Sequence, residues 1–431
     1  MPRAERRHSR VNRVLATVAI TGVLVGGGVY GYGVVADRGN PSADPAVEIP
    51  GLPTPTRFVA TNGDDTGDCT NPASPCATFG RAYDQASQGE VVQVAAGSYP
   101  SQTISASPKG NPDADEDDVV FVPDGAVTVE QILFHNPHIE VRDMTVTKWS
   151  VDYRREVESM RGSDVTVRNV DSGVADISSA WNVRVLSGDI GPNEGVPSDN
   201  YPWPQDGLIV NDFGEGRHPS LILFDGVTFH DITRPTPDAH SDCLQFTSGV
   251  DVTIRNSRFY NCADVNIIPK NDQGPIQDFL VENNMFGAVV NGPPSINLFD
   301  TPSQLCGDFT VRYNAFENQG LRADGDTAEC NLVVIGNIFR SVNCTNYAAD
   351  VAEYNVVETG PIPCLNETNY RVPDSDVGYV NRSNTSALDL RLRRGSEAIA
   401  RGHPEIYPES DFFGTARVAE PAPAAGVHER G

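Results

Sequence analysis

The segment that decides the fold is Val252-Thr-Ile-Arg-Asn-Ser-Arg-Phe259, because its pattern returns along the chain. Apolar and polar residues alternate over its first half, as in a strand with one buried face. A polar pair then interrupts the strand before an aromatic residue. Residues 139–146, 165–172 and 222–229 carry weaker copies. The clearest copies are Phe279-Leu-Val-Glu-Asn-Asn-Met-Phe286, Phe309-Thr-Val-Arg-Tyr-Asn-Ala-Phe316, Leu332-Val-Val-Ile-Gly-Asn-Ile-Phe339 and Val351-Ala-Glu-Tyr-Asn-Val-Val357.

The spacing of these copies indicates a solenoid. Between Phe229 and Phe339 the aromatic position returns after 23 to 30 residues. Helical solenoids need long segments whose apolar residues recur with a period of 3.6, and leucine-rich repeats need regularly spaced leucines. The chain has neither pattern. Stacked coils of short strands fit best, so we predict an all-β fold, a parallel β-helix solenoid.

Asparagine recurs at one turn position of the repeat. Stacked asparagine side chains can hydrogen-bond from coil to coil, or they can simply tolerate the turn conformation. Both explanations favour the same fold. The residues are Asn284, Asn314, Asn337 and Asn355.

Composition divides the chain into four segments. Residues 1–36 begin with five arginines and continue with an uncharged stretch at 14–36, which predicts a cleaved signal peptide or an uncleaved N-terminal membrane anchor. Either one implies export, to the extracellular space or the outer face of the cell membrane, with no other membrane contact. Residues 37–56 form a Pro-rich linker, 57–417 the β-helix domain and 418–431 a flexible tail. An amphipathic helix at 77–88, ended by Gly89, is expected to cap the first coil.

Eight cysteines in an exported chain predict disulfides, although sequence alone leaves the connectivity open. Equivalent positions on neighbouring coils lie about 4.8 Å apart, close enough for cysteines one coil apart to bond. The spacing suggests the pairs Cys69/Cys76, Cys243/Cys262, Cys306/Cys330 and Cys344/Cys364.

The charge balance argues against nucleic acid as a partner. The formal net charge is -26, which repels a phosphate backbone. An acidic polysaccharide would be repelled as well, unless a bound cation or a local basic cleft intervenes. Lysine is rare, with Lys109, Lys148 and Lys270 the three in the chain. We expect a monomer.

The ends of the repeat domain resemble secreted right-handed parallel β-helix proteins of the pectin-lyase-like superfamily, over about residues 57–417. The resemblance implies a right-handed β-helix with an N-terminal capping helix. It does not select an activity, since the superfamily contains lyases, hydrolases, epimerases and non-catalytic adhesins. The matching segments are Arg57-Phe-Val-Ala-Thr-Asn-Gly-Asp-Asp-Thr-Gly67, Pro75-Cys-Ala-Thr-Phe79 with Ala82, Gln88-Gly-Glu-Val-Val-Gln-Val-Ala-Ala-Gly-Ser-Tyr99, Leu388-Asp-Leu-Arg-Leu392, Gly395-Ser-Glu-Ala-Ile399 and Asp411-Phe-Phe-Gly414.

Acidic residues in the middle coils can be aligned as a column. Such carboxylates repel one another unless a cation or a shared proton intervenes. Ca²⁺ prefers oxygen ligands, so we expect a Ca²⁺ site formed by Asp206, Asp242 and Asp264. Asp176 aligns with them, but an aspartate that caps a turn explains it equally well.

Lys270 and His240 lie near this column in the predicted stack. Some β-helix polysaccharide lyases use a lysine or arginine to remove the proton α to a uronate carboxyl, while Ca²⁺ or basic residues neutralise that carboxyl. By this resemblance Lys270, His240 and Asp242 are candidate catalytic residues. The non-catalytic alternatives are that Lys270 is a solvated lysine paired with an aspartate, and that the hydrogen bonds of His240 are made within a turn. Candidate substrate-binding residues are Gln245, Asn266, Tyr201 and Trp203.

The leading hypothesis is therefore a lyase-like enzyme acting on an acidic polysaccharide. Two alternatives remain: a non-catalytic module that binds glycans or forms part of the cell surface, and a glycoside hydrolase with paired aspartates. The pectin hydrolases of this fold carry Asn-Thr-Asp-Gly, Gly-His-Gly and Arg-Ile-Lys elements. Here only Asp206-Gly207 remains, which ranks hydrolysis below elimination.

Overall fold

The computed structural model describes residues 51–104, 113, 116–153, 162–193, 206–214, 217–237, 239–292, 294–300, 306–325, 331–343, 349–359, 368–373, 376–418 and 422–429. The chain divides into two units, Met1–Ser42 and Ala43–Gly431, and all the described residues belong to the second. The predicted leader at 1–36 and most of the linker lie outside the described residues. Among the residues that are described, no helix is both long and apolar enough to cross a bilayer.

Where it is described, the second unit contains strands and one short helix, α1, at Phe79–Gln85. The strands are β1 Arg57–Val59, β2 Val91–Tyr99, β3 Gln102–Ile104, β4 Val119–Phe134, β5 Ile139–Arg142, β6 Thr145–Asp152, β7 Val165–Arg168, β8 Asp171–Ser178, β9 Trp181–Leu186, β10 Asp189–Ile190, β11 Leu208–Asn211, β12 Ser220–Asp225, β13 Thr228–Ile232, β14 Leu244–Phe246, β15 Gly249–Arg255, β16 Arg258–Cys262, β17 Ile267–Pro269, β18 Ile276–Glu282, β19 Met285–Phe286, β20 Ile296–Asp300, β21 Phe309–Arg312, β22 Ala315–Gly325, β23 Leu332–Ile335, β24 Ile338–Asn343, β25 Val351–Glu353, β26 Val356–Val357, β27 Tyr370–Arg371, β28 Tyr379–Asn381 and β29 Asp389–Leu392.

Three strands form each central coil, and each strand pairs in parallel with its counterpart in the next coil. Face A contains the C-terminal half of β8, then β11, β14, β17 and β20. Face B contains β9, β12, β15, β18, β21, β23 and β25. Face C contains β10, β13, β16, β19, the start of β22, β24 and β26. The predicted parallel β-helix is confirmed.

The repeat motif spans faces B and C, and its aromatic residue points into the core. The rings stack along face C with centroids 4.6 to 4.9 Å apart, which matches one coil spacing. Strand register therefore confirms the intervals between copies in the sequence. The stacked residues are Phe229, Phe259, Phe286, Phe316 and Phe339.

The predicted asparagine ladder is present at the turn between faces B and C. The Oδ1 of Asn314 accepts from the backbone N–H of Asn284 at 2.8 Å and from its Nδ2 at 3.0 Å. The same pair of bonds links Asn314 to Asn337 and Asn337 to Asn355. The ladder extends one step further than predicted, to Asn369. These buried amides thus satisfy one another from coil to coil.

The capping helix is shorter than the sequence suggested. Thr78 caps its N-terminus by accepting from the N–H of Arg81, and Phe79 and Tyr83 bury their rings. The helix ends at Gln85 rather than at Gly89, since Ala86 is already extended.

The C-terminal tail, predicted to be flexible over 418–431, is packed where it is described. Ala424, Ala425 and Val427 are buried, and the N–H of Gly426 donates to the carbonyl of Gly336 at 2.7 Å. Small side chains let this segment pack closely against the coils. Residues 376–418 and 422–429, named here the C-terminal strap, cover the outer side chains of face C: Tyr260, Met285, Ala315, Ile338 and Val356.

Two predicted disulfides are present among the described residues. Cys69 and Cys76 bond with Cα atoms 5.1 Å apart, and Cys243 and Cys262 with Cα atoms 5.5 Å apart. The second bridge joins the start of β14 to the end of β16, so it closes one coil and does not link equivalent positions of neighbouring coils. Cys306 is also disulfide-bonded. The predicted partners Cys330, Cys344 and Cys364 lie outside the described residues.

Candidate functional site

Two aspartates lie side by side at the N-terminal edge of face A. Asp206 precedes β11 and Asp242 precedes β14, and the register that pairs Leu208 with Leu244 sets the aspartates beside each other. The backbone N–H of Asp242 donates to Oδ1 of Asp206 at 2.7 Å. Consecutive coils therefore bring two aspartates to one corner of the β-helix, with backbones about one strand spacing of 4.8 Å apart.

These carboxyl groups lie in an environment that disfavours two negative charges. Burial raises the pKa of Asp206, and the charge of Asp242 raises it further. Burial also raises the pKa of Asp242, although His240 and Lys270 act in the opposite direction. Oδ1 of Asp242 is buried and accepts no hydrogen bond from any described residue. A shared proton or a cation would relieve this arrangement.

His240 provides positive charge at the surface of the pair. Its Nδ1 lies 3.0 Å from Oδ2 of Asp242, with the imidazole about half exposed and the carboxyl fully buried. The contact with Asp242 raises the pKa of His240, while partial burial acts against it. The imidazolium form is therefore favoured beside Asp242.

Lys270 lies across face A from the aspartates. It follows β17, and its Nζ donates to Oε1 of Gln245 at 3.1 Å. Gln245 lies between buried Leu244 and Phe246 in β14, so strand alternation directs it outward. The charge of Lys270 lowers the pKa of both aspartates. The structure thus brings five predicted residues together at face A: Asp206, His240 and Asp242 at its N-terminal edge, and Gln245 and Lys270 on its outer surface.

Asp264 does not join the aspartate pair as predicted. Nε of Arg234 donates to its Oδ2 at 2.7 Å and Nη2 donates to its Oδ1, while the N–H of Ser241 donates to Oδ2 at 2.7 Å. Burial alone would raise the pKa of Asp264, but the bonds from Arg234 and Ser241 outweigh it and lower the pKa. Arg234 thus supplies the positive charge beside Asp264 that was predicted to come from a metal ion.

Asp176 is also out of register with the pair. The pairing of β8 with β11 sets Asp176 beside Ile209, three positions beyond Asp206. Its carboxyl accepts from Oγ of Ser178 and from Nδ2 of Asn211. Its contacts with Ser178 on the same strand and with Asn211 on the next strand explain its position. The predicted alignment of four aspartates is therefore wrong at Asp176.

The other predicted substrate-binding residues are not on the described surface. Asn266 is buried in the corner before β17, where its Nδ2 donates to the carbonyl of Gly287 at 3.1 Å. It is placed to support the corner and not to contact a glycan. Tyr201 and Trp203 lie outside the described residues.

Sequence reasoning missed a second histidine–aspartate pair on face A. Asp212 follows β11, and its Oδ2 lies 2.5 Å from Nδ1 of His218. The carboxyl is almost fully buried, while the imidazole is half exposed. Asp212 and His218 are six positions apart in the sequence, and no local pattern links the two residues.

A third cluster lies at the other side of the coils. Within the described ranges, the one group of three potential metal ligands with atoms within 4.8 Å of one another is Asp118, His138 and Asp164. Burial raises the pKa of Asp118 to about 6. Nη2 of Arg184 lies 3.2 Å from Oδ1 of Asp164 and 3.7 Å from Oδ2 of Asp118. A protein cation thus already faces both carboxyl groups.

The Asp206–Asp242 pair fits a hard cation better than either alternative. Both residues offer carboxylate oxygens, which Ca²⁺ prefers, and Oδ1 of Asp242 is not engaged by a described donor. In contrast, Asp264 and Asp164 each face an arginine. Two protein ligands alone do not fill a Ca²⁺ coordination shell, so water and ligand oxygens would supply the rest.

Polysaccharide lyases are among the solved structures similar to this chain. The structure of pectate lyase Pel9A shares 15% sequence identity over 88% of this chain and 98% of that protein, with a TM-score of 0.45. The structure of the PL6 family alginate lyase AlyGC shares 12% identity over 78% of this chain and 59% of that protein, with a TM-score of 0.32. No family model and no curated protein matches the chain.

Proposed function

We propose that this protein is a lyase that cleaves uronate-containing polysaccharides by β-elimination on face A. The observation that carries the proposal is the position of Lys270, whose Nζ bonds Gln245 on the outer face beside the buried Asp206–Asp242 pair. An amine next to a site for a cation is the combination that elimination from a uronate requires.

In this reaction Lys270, in its neutral form, removes the proton from C5 of a uronate. Gln245 accepts a hydrogen bond from Nζ and holds the amine on the outer surface of β14. Asp206 and Asp242 would hold Ca²⁺, which when bound neutralises the substrate carboxylate and so acidifies the C5 proton. His240 adds a positive charge next to Asp242. The C4–O4 bond then breaks, and a C4=C5 double bond forms.

The same charges favour an acidic glycan. The chain as a whole carries a formal net charge of -26, so binding of a polyanion must depend on local positive groups. His240 supplies such a group on face A, and a Ca²⁺ ion held by Asp206 and Asp242 would supply another. We further propose that the domain acts as a monomer outside the cytoplasm, where disulfides such as Cys243–Cys262 persist.

Product analysis tests the proposal. The full-length protein is incubated with pectate, alginate and glycosaminoglycans, with Ca²⁺ or with a chelator, and unsaturated uronates are followed by ultraviolet absorbance. We expect a Ca²⁺-dependent signal with at least one glycan. Lys270→Ala should lower kcat by about 10²- to 10⁴-fold. Lys148→Ala, on strand β6 of the same side, is the matched control and should keep normal activity. Full activity in Lys270→Ala would remove that residue from the mechanism.

Hydrolysis is the second candidate, and the raised pKa values of Asp206 and Asp242 favour it. A protonated and an ionised carboxyl at adjacent positions could act as acid and nucleophile. Hydrolysis would yield saturated reducing ends without ultraviolet absorbance. Binding to a glycan without any new chain ends would instead support the non-catalytic module.

A further inference from the structure

The pair formed by His218 and Asp212 has the geometry of a proton-transfer group. Three groups contact the Asp212 carboxyl: the N–H of Gly214 donates to Oδ1 at 2.6 Å, Oγ of Ser179 donates to Oδ1 at 3.5 Å, and Nδ1 of His218 lies 2.5 Å from Oδ2. With Nδ1 occupied by the carboxylate, Nε2 is the ring nitrogen available for proton exchange. A buried carboxylate in this position orients the ring and stabilises the imidazolium.

The imidazole of His218 packs closely against the backbone of a neighbouring loop. A Cβ added to Gly274 would come 2.9 Å from Nδ1 of His218. Glycine at this position therefore lets the imidazole lie directly against the backbone. The side chain of Gln273 connects the pair to the neighbouring strand, because its Oε1 accepts from the N–H of Asp212 at 3.0 Å and from Oγ1 of Thr247 at 2.6 Å.

Thr247 links this pair to Lys270. The parallel register that joins Phe246 to Pro269 continues into Thr247 and Lys270, and the N–H of Lys270 donates to the carbonyl of Phe246 at 2.7 Å. Asp212 and Lys270 thus follow strands β11 and β17, on either side of β14, about 10 Å apart at the backbone. Asp212 and Lys270 therefore flank the end of β14 on its two sides.

Three kinds of group therefore follow one another along the strands of face A. The Asp206–Asp242 pair precedes the strands, Nζ of Lys270 bonds in the middle at Gln245, and His218 lies beyond the strand ends.

We propose that His218 is the general acid that protonates the leaving oxygen, an assignment that rests on the proposed lyase function. Lys270 takes the C5 proton, the C5–H electron pair forms the C4=C5 double bond, and the C4–O4 pair leaves with O4. Nε2 of His218 gives its proton to that oxygen, so the step is redox-neutral. Asp212 is a positioning residue for the imidazole.

Leaving-group dependence tests the assignment. His218→Gln and Asp212→Asn, which keep hydrogen-bonding groups, are compared with the wild type on the native glycan and on a uronate with 4-nitrophenolate at C4. Nitrophenolate leaves without a proton. We expect His218→Gln to lower kcat about 10²- to 10⁴-fold on the glycan, with little change in KM, and only a few-fold on the nitrophenolate. His230→Gln is the matched control, since His230 also pairs with an aspartate, at 2.8 Å, but on face C.

The outcomes separate the two proposals. Equal loss of kcat on both substrates, or no loss on either, would overturn the role of His218 and leave the lyase function standing. A wild-type protein that forms no unsaturated product from either substrate would overturn the lyase function, and the role of His218 with it. Melting temperatures of the variants exclude loss by unfolding.

Discussion

The backbone N–H of Asp242 donates to Oδ1 of Asp206 at 2.7 Å, across the boundary between two coils. This bond orients the Asp206 carboxyl toward that of Asp242, although the two residues are 36 positions apart. Because both groups are buried, their charges are costly unless a proton or cation is shared. The contact explains how two carboxyl groups from consecutive coils come to share one corner of face A.

Calcium should stabilise the protein through these two residues. We expect added Ca²⁺ to raise the melting temperature, because a ligand that binds the folded state alone stabilises it, by about 2.7 kcal/mol at a hundredfold excess over Kd. Asp242→Asn should abolish the shift, measured by differential scanning fluorimetry. Asp225→Asn, which affects a carboxyl paired with Arg255 on face B, should retain it. An unchanged shift in Asp242→Asn would place the cation elsewhere.

Breaking the Arg234–Asp264 pair should destabilise the corner that carries Asp242. Arg234→Ala leaves a buried carboxyl without its positive partner, and the cost of such a loss is about 3–5 kcal/mol. Chemical denaturation measures the effect. The double variant Arg234→Ala/Asp264→Ala should recover part of the loss, since no unpaired charge remains. A double variant less stable than the single one would contradict this explanation.

The asparagine ladder should be most sensitive at its centre. Asn314→Ala leaves the N–H and Nδ2 of Asn284 without their acceptor inside the coil stack. Each buried group that loses its partner costs about 1–3 kcal/mol, so we expect a clear drop in the free energy of unfolding. Asn331→Ala is the control, because its amide bonds Asp308 on the outer surface. Equal losses in both variants would argue against a structural role for the buried ladder.

Asp176 should make stability depend on pH. Burial raises its pKa to about 7, and the charge of Asp152 adds to the effect. The folded state therefore binds this proton more tightly than the unfolded chain does. The stabilising contribution is fully present below about pH 4 and is lost as the pH rises toward 7. Asp176→Asn should thus reduce the fall in melting temperature between pH 4 and pH 7.

The matched variant for this measurement is Asp308→Asn, which replaces an exposed carboxyl. Its curve should follow that of the wild type. A pH dependence in Asp176→Asn identical to the wild type would show that other groups cause it.

The sequence predicted the coils well because their signals are local. The intervals between Phe229 and Phe339 match the strand register, and the asparagines align as expected. The repeating strand pattern alone requires that equivalent residues stack. The coils can therefore be predicted from the residues of the repeat alone.

Corners between the faces were harder to predict, because their lengths vary. The long connection between β8 and β11 hid the offset of Asp176 from Asp206. Arg234 lies in an insertion 30 residues before Asp264, and no local pattern links the two residues. The Pro/Ala composition of the C-terminus suggested a loose tail, yet small residues such as Ala424 are suited to close packing.

The C-terminal strap has a consequence for how the stack can come apart. Each coil of a solenoid normally touches only its neighbours, so the end coils can fray independently. Here Asn384 accepts from the N–H of Asn261, Arg417 donates to Asn283, and Gly426 bonds Gly336. One lengthwise segment therefore ties several coils together. Under mechanical force this half of the molecule should rupture in a single event once the strap detaches, not coil by coil.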